Sequence, residues 1–497
     1  MSLFRKKDLA AMLAQSEDGG KGLKRTLGAG NLIALGIGAI IGAGLFVRTA
    51  AAAGQAAGPA VTISFIIAAV GCAFAGLCYA EFAAMIPIAG SAYAYSYVTM
   101  GELVAWIIGW ALIMEYALGA ATVSIAWSEY LNKLTGGAIP YEWSHSPLES
   151  FTDSMGVAHS GIMNAPALII LLALTLLLIK GSQESAMVNA VIVFIKVAIV
   201  IIFIAVGWQF IKPENHTPYL IPAGQAAVTD SAGKVIADYS GAFKHGWGGV
   251  LGGAAIVFFA FIGFDAVSTA AQEAKNPKRD MPIGILGSLV VCTILYILFG
   301  HVLTGVAPWT DFVDPEKGRE ASVAYAISTY MTGYGWLATA VTVAILAGFS
   351  SVILVMLMGQ SRIFYSMSKD GLLPKAFGDL HPKYQTPYKS NWILFVFVGL
   401  FAAFVPGSVA GDLTSFGTLF AFVLVSLGIW ILRRKSPEME RPFKTPLVPL
   451  VPILGAVICL AMIFALDMQT LKVAFIWMIL GLFVYFLYSK KTSKLNN

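Results

Sequence analysis

The chain has 497 residues, of which 58% are hydrophobic and only 12% charged, about half the charged fraction of a soluble globular domain, and that excludes one. Its net charge of +5 falls in connections between apolar runs, so membrane topology accounts for it and no nucleic-acid partner is needed. The expected class is an all-α polytopic membrane protein of about 12 transmembrane helices, with the lipid bilayer as its solvent.

Apolar runs near the length a helix needs to cross hydrocarbon occur at 32–47, 60–86, 103–131, 165–180, 186–211, 248–271, 283–306, 335–361, 391–406, 414–432, 448–466 and 471–488. Residues 1–30 are polar and basic, without the short apolar core and cleavage site of a signal peptide. Of the 32 lysines and arginines, 23 fall in the two tails and the even-to-odd connections and 8 on the other side. The positive-inside rule therefore puts both termini in the cytoplasm of a multi-pass protein of the cell inner (plasma) membrane. Cys72, Cys78, Cys292 and Cys459 all lie in spans and read as packing residues. The six histidines have no ligand spacing, and the loops 132–164 and 212–247 hold no nucleotide or nucleophile motif. Neither a metal, a cofactor nor an enzymatic activity is expected.

Span 1 contains Gly36-Ile-Gly-Ala-Ile-Ile-Gly-Ala-Gly44. A helix so prone to unwinding is tolerated in a membrane only against protein or a cavity, and an unwound stretch near the midplane exposes amides and carbonyls suited to an amino acid zwitterion. The alternative is that the glycines allow close helix packing. Span 2 ends in Tyr-Ala-Glu81, where the carboxylate can reach the interface. Tyr93, Tyr95 and Tyr97 follow in a connection without Lys or Arg, which predicts a short interfacial helix. Span 3 places Glu115 near its centre; a carboxylate there costs about 3 kcal/mol or more to insert, so it should face the interior, as a site residue or as a structural group.

Span 5 carries one charge, Lys196, too far from either end to snorkel easily. A lysine that loses and regains its proton is a coupling group for a proton-driven transporter; the alternative is a permanent ion pair with Glu115. Span 6, Gly252-Gly253-Ala-Ala-Ile-Val-Phe258-Phe-Ala-Phe-Ile-Gly263-Phe-Asp265, repeats the mid-span glycine and charge. Interrupted first and sixth helices predict a duplicated five-helix unit in opposite orientations. The expected organisation is a cytoplasmic segment 1–30, a first repeat 31–211, an external loop 212–247, a second repeat 248–432, helices 11 and 12 in 433–488, and a cytoplasmic tail 489–497.

The span 1 glycines, Tyr-Ala-Glu81…Pro87…Gly90-Ser, Phe258-Phe-Ala-Phe-Ile-Gly-Phe-Asp265 and Glu273-Ala-Lys-Asn276-Pro277 resemble the APC (amino acid-polyamine-organocation) superfamily. Gly359-Gln-Ser-Arg-Ile-Phe-Tyr-Ser-Met-Ser-Lys-Asp370-Gly371 with His381-Pro…Thr386-Pro387 narrows the resemblance to a bacterial member of its cationic amino acid transporter branch, over about residues 24–490. The resemblance implies a five-plus-five inverted repeat with broken helices 1 and 6, two C-terminal helices and alternating access. It implies an amino acid bound at Gly42, Ala43 and Gly44, its carboxylate on the amides of Ala43 and Gly44. The ammonium would meet the carbonyls of Ile40, Phe259, Ala260 and Ile262, with Phe259 as an aromatic gate. It implies proton coupling through Lys196, in contact with the backbone near Gly38 and with the hydroxyl of Ser350 or Ser351. Phe349 is expected to shorten the pocket so that alanine, serine, glycine or threonine is preferred over arginine or lysine, with Glu115 on the opposite wall. An uncoupled exchanger or uniporter of the same fold, an accessory membrane subunit, and sterol or lipid contacts stay open.

Overall fold

The computed structural model describes residues 4–8, 25–42, 44–88, 90–152, 158–229, 235–313, 322–464, 466 and 468–496. The helices in chain order are α1 (Ala29–Ile40), α2 (Thr49–Ala52), α3 (Val61–Met85), α4 (Ser91–Thr99), α5 (Glu102–Leu112) and α6 (Gly119–Leu134). They continue with α7 (Ala165–Lys180), α8 (Ser182–Gly207), α9 (Gly246–Phe258), α10 (Ala266–Thr269), α11 (Pro277–Val306) and α12 (Ser322–Tyr330). The last are α13 (Gly335–Lys369), α14 (Tyr388–Phe404), α15 (Gly407–Lys435), α16 (Leu450–Phe464), α17 (Met468–Val484) and α18 (Lys490–Thr492). Two short antiparallel hairpins, β1–β2 (Ser150–Thr152 with Ala158–Ser160) and β3–β4 (Val228–Thr229 with Val235–Ala237), lie in the two long loops. Among the described residues, eight helical stretches are long and apolar enough to cross a membrane, and α1, α7, α14 and α16 are shorter apolar ones.

The bundle is organised by which face of each helix the interior accepts. On α8, Phe194 is 76% exposed and Lys196 is 0% exposed, so one face of a single apolar helix meets lipid and the other the protein. A membrane gives apolar side chains no reason to hide. Polar side chains and close-packed glycines therefore mark the interior. A side-chain carbon on Gly36 would lie 2.5 Å from Ser288 Cβ, and one on Gly42 would lie 2.5 Å from Val352 Cγ2. The span 1 glycines do provide the close packing that was the alternative reading of them.

Span 1 is longer than 32–47. Its outer half runs as a π-helical turn Gly44–Arg48, then α2, then a second π-helical turn Ala53–Ala57, so Arg48 sits inside it. The alanines of 49–57 kept this half below the hydropathy of a leucine-rich run. α4 exists as expected, but its tyrosines pack inside the protein. Tyr93, Tyr95 and Tyr97 are buried, because α4 is enclosed by α5, α13 and α15, and the Tyr95 ring stacks on Phe82 at 4.8 Å.

The two ends of the chain meet on one face. Arg5 Nη1 donates to Leu495 O at 2.6 Å, Lys7 Nζ pairs with Asp370 at 2.5 Å, and Lys494 N donates to Asp370 O at 3.1 Å. Glu102 accepts from Tyr97, Tyr485 and Ser493 on the same face. Beneath it lies a fully buried ion pair, Arg362 with Glu273, at 2.9 Å.

Candidate functional site

α1 stops at Ile40 because Ile41 turns extended (φ −77°, ψ 102°). A helix end leaves its last carbonyls without partners inside the helix, and here side chains from three other helices take them. Lys196 Nζ on α8 donates to Gly38 O at 2.9 Å and to Ile41 O at 2.7 Å. Ser351 Oγ on α13 donates to Gly38 O at 3.1 Å or to Asn189 Oδ1 at 2.5 Å. Asn189 Nδ2 in turn reaches Ala34 O at 3.3 Å. Lys196 is thus a cation placed on the negative end of a half-helix, an arrangement contributing up to about 2 kcal/mol where water is partly excluded.

Span 6 breaks at the same level. α9 gives way to a 3₁₀ turn Phe259–Phe261, Ile262 is a turn residue with ψ 135°, and Gly263 has φ 110°, a conformation that favours glycine. A side-chain carbon at Gly263 would also lie 2.8 Å from Ala39 Cβ. The two breaks touch: one added at Gly44 would lie 2.2 Å from Ala260 Cα. A hydroxyl joins them, since Tyr296 OH on α11 lies 2.9 Å from Ile40 O and 2.8 Å from Ala260 O. Its single proton serves one carbonyl at a time.

The expected substrate carbonyls of Ile40 and Ala260 are therefore together and already share a donor, and Phe259 O accepts from Ile262 N at 3.3 Å. Gly42 and Gly44 lie at the break; Ala43 lies outside the described residues. The Phe259 ring is half-buried beneath the Arg48 guanidinium, 5.1 Å from the ring centroid. Phe349 is buried, edge-on to Tyr130 with centroids 5.5 Å apart.

One expectation and one alternative are set aside by this geometry. The Lys196 ammonium bonds two carbonyls and neither serine: Ser351 shares the Gly38 carbonyl with it, and Ser350 Oγ turns back to Leu346 O of its own helix at 2.9 Å. Among the described residues no salt bridge joins Lys196 to Glu115. Glu115 lies against the span 6 break, whose turn 262–265 ends in Asp265. It neighbours Asp265 and Thr418, beside Tyr116, whose ring a side chain on Gly359 would meet.

Glu115 sits in a π-helical turn, Ile113–Leu118, between α5 and α6. The extra residue of such a turn re-aims side chains. Among the described residues, both Glu115 oxygens and Asp265 Oδ1 are buried without a hydrogen-bond partner, while Tyr116 OH donates to Asp265 Oδ2. Glu81 does not reach the interface either. It is fully buried and holds Arg433 through two 2.8 Å bonds, with Arg441 at 3.2 Å and the Thr445 amide at 2.7 Å, which makes it structural.

Sequence reasoning passed over Tyr296, Asn189 and Tyr116. Asn189 was findable: it is two turns before Lys196, on the same face of an otherwise apolar helix. Tyr296 gave no signal beyond being an aromatic residue in a span.

A family model described as amino acid permease matches residues 27–487. The chain is 42% identical to a branched-chain amino acid permease of Bacillus subtilis over 497 residues, 100% of this chain and 99% of that one. It is 41% identical to the methylthioribose transporter of the same organism, again over 100% and 99% of the two chains. It is 34% identical to a vacuolar cationic amino acid transporter of Arabidopsis thaliana over 438 residues, 88% of this chain and 68% of that one.

Proposed function

Because the chain belongs to the amino acid permease family, and so is a multi-pass membrane transporter rather than an enzyme, we propose that it takes up small neutral L-amino acids, alanine-like, driven by a proton gradient. The reading places both termini in the cytoplasm and the protein in the plasma membrane, from the asymmetry of its lysines and arginines.

The observation that carries it is the Lys196 ammonium on the carbonyls of Gly38 and Ile41, where a coupling cation would neutralise the end of half-helix α1. With its proton, Lys196 holds the α1 terminus against α8 and α13. Without it, the charge–dipole attraction is gone and α1 is released to tilt. The substrate carboxylate would sit at the Ala43 and Gly44 amides, and its ammonium would share the carbonyls that Tyr296 holds. Phe259 closes over it, and the Phe349 ring limits side-chain length. On this reading Lys196, Gly38 and Ser351 form the coupling site. Ser350 takes no part.

A branched-chain substrate is the second reading, favoured by the name of the Bacillus relative at 42% identity. Similarity alone does not choose, since a relative at 41% bears the name of a different solute. The test is uptake into proteoliposomes with an imposed pH gradient. Labelled alanine should accumulate, collapse with a proton uncoupler, and be displaced by serine, glycine and threonine better than by leucine or valine. Lys196→Met should abolish accumulation and leave the protein folded. Accumulation indifferent to the uncoupler would leave an exchanger or uniporter, and stronger displacement by leucine would choose the branched-chain reading.

A further inference from the structure

On the face that carries both termini, a cleft of about 340 Å³ lies between residues 6–8, the end of α4 and the end of α15. Three lysines line it: Lys7 and two others, Lys6 from the N-terminal segment and Lys435 from the last turn of α15. Neither makes a hydrogen bond or ion pair among the described residues, in contrast to Lys7 beside them, which is held by Asp370. Asp8 also lines the cleft, so two uncommitted ammonium groups face one carboxylate. Lys6 is pushed below the ordinary lysine range, first by burial and then by the charge of Lys435. Both lysines are exposed and border the same cleft, which leaves room for an anion between them.

The remaining walls are apolar, with Val98, Leu432 and Met439 among them. Depth supplies the second argument. α15 is 29 residues long, roughly 43 Å at 1.5 Å per residue, against about 30 Å of hydrocarbon, so Lys435 lies at headgroup level. The adjacent Arg434 guanidinium stacks over Trp430, 4.7 Å from the ring centroid, an aromatic placement typical of the membrane interface.

We propose that this cleft binds the phosphate headgroup of an anionic phospholipid, Lys6 and Lys435 meeting the phosphoryl oxygens and the apolar wall taking the first methylenes. Bound there, the lipid ties Lys6 of the N-terminal segment, one residue from its clamp on Glu102 through the Arg5 carbonyl, to the end of α15.

The test is thermal unfolding of the purified protein in uncharged detergent with dioctanoyl phosphatidylglycerol, dioctanoyl phosphatidylcholine or inorganic phosphate. Phosphatidylglycerol should raise the unfolding temperature saturably, phosphatidylcholine should not, and phosphate should act only at far higher concentration. Lys6→Gln with Lys435→Gln should weaken the phosphatidylglycerol effect about thirty-fold, the loss expected for two such contacts. Lys278→Gln, which removes an exposed lysine near Glu440, should leave it unchanged. If the double variant unfolds in detergent, Lys435→Gln alone, at an exposed position, should weaken the effect about five-fold. An equal response to phosphatidylcholine, or an undiminished response in the variants, overturns the proposal. Equal potency of inorganic phosphate overturns the lipid assignment in favour of a free-anion site.

Discussion

Gly44→Ala tests whether the two broken helices must touch. The new Cβ would lie 2.2 Å from Ala260 Cα, 2.7 Å from its Cβ and 3.0 Å from its nitrogen, whereas ordinary contact begins at 3.4 Å. Two of the obstructing atoms belong to the backbone and the third is a Cβ fixed to it, so no rotamer relieves them, and the segments must separate by about 1.2 Å. Overpacking of this kind costs about 1–3 kcal/mol. The same movement strains the Tyr296 hydroxyl, now 2.9 and 2.8 Å from Ile40 O and Ala260 O, since either bond lengthened by 1.2 Å exceeds hydrogen-bond range. A site displaced by about 1 Å loses on the order of 10²-fold in the function that depends on it. Alanine-dependent thermal stabilisation should therefore disappear at concentrations that saturate the wild type, and uptake should fall by one to two orders of magnitude. Gly30→Ala is the control: nothing lies within 4 Å of its added carbon, and it should leave binding unchanged. A Gly44→Ala protein that binds alanine within two-fold of wild type would refute the reasoning.

Tyr296→Phe should keep the fold at a cost of about 1 kcal/mol and weaken alanine binding several-fold by calorimetry; unchanged affinity would mean the hydroxyl does not organise the site. Phe349→Ser should cost about 3–5 kcal/mol of stability and let leucine and arginine, which on the proposed function compete poorly in the wild type, compete within about ten-fold of alanine. An unchanged competition profile would show that the ring does not border the pocket. Arg362→Met leaves the Glu273 carboxylate buried and unpaired, for a loss of about 3–5 kcal/mol; the double variant with Glu273→Met should regain most of the lost unfolding temperature, and a double variant no better than the single one would show that the pair is not the unit that matters.

Twelve apolar runs, two interrupted helices and one buried lysine were legible in the sequence because each is a local property. Hydrocarbon sets a minimum length for any helix that crosses it, glycine weakens a helix wherever it stands, and a charge without neighbours at a span centre has to face protein. The partners of those residues were not legible. Glu81 meets Arg433 across 352 positions of sequence, and Tyr296 meets Ile40 across 256. Local pattern says that a polar group is buried and leaves open which helix satisfies it. That choice follows from helix rotation and crossing. Hence Ser351 bonds Asn189 and the Gly38 carbonyl rather than the lysine, and the tyrosines of α4 are enclosed rather than spread on the interface. Hence too Glu115 neighbours Asp265 and Thr418 rather than Lys196. Sequence determined which groups must be hidden from lipid, and the tertiary packing decided what each of them is hidden against, because a buried carbonyl or carboxylate accepts any donor that the crossing helices bring within about 3 Å.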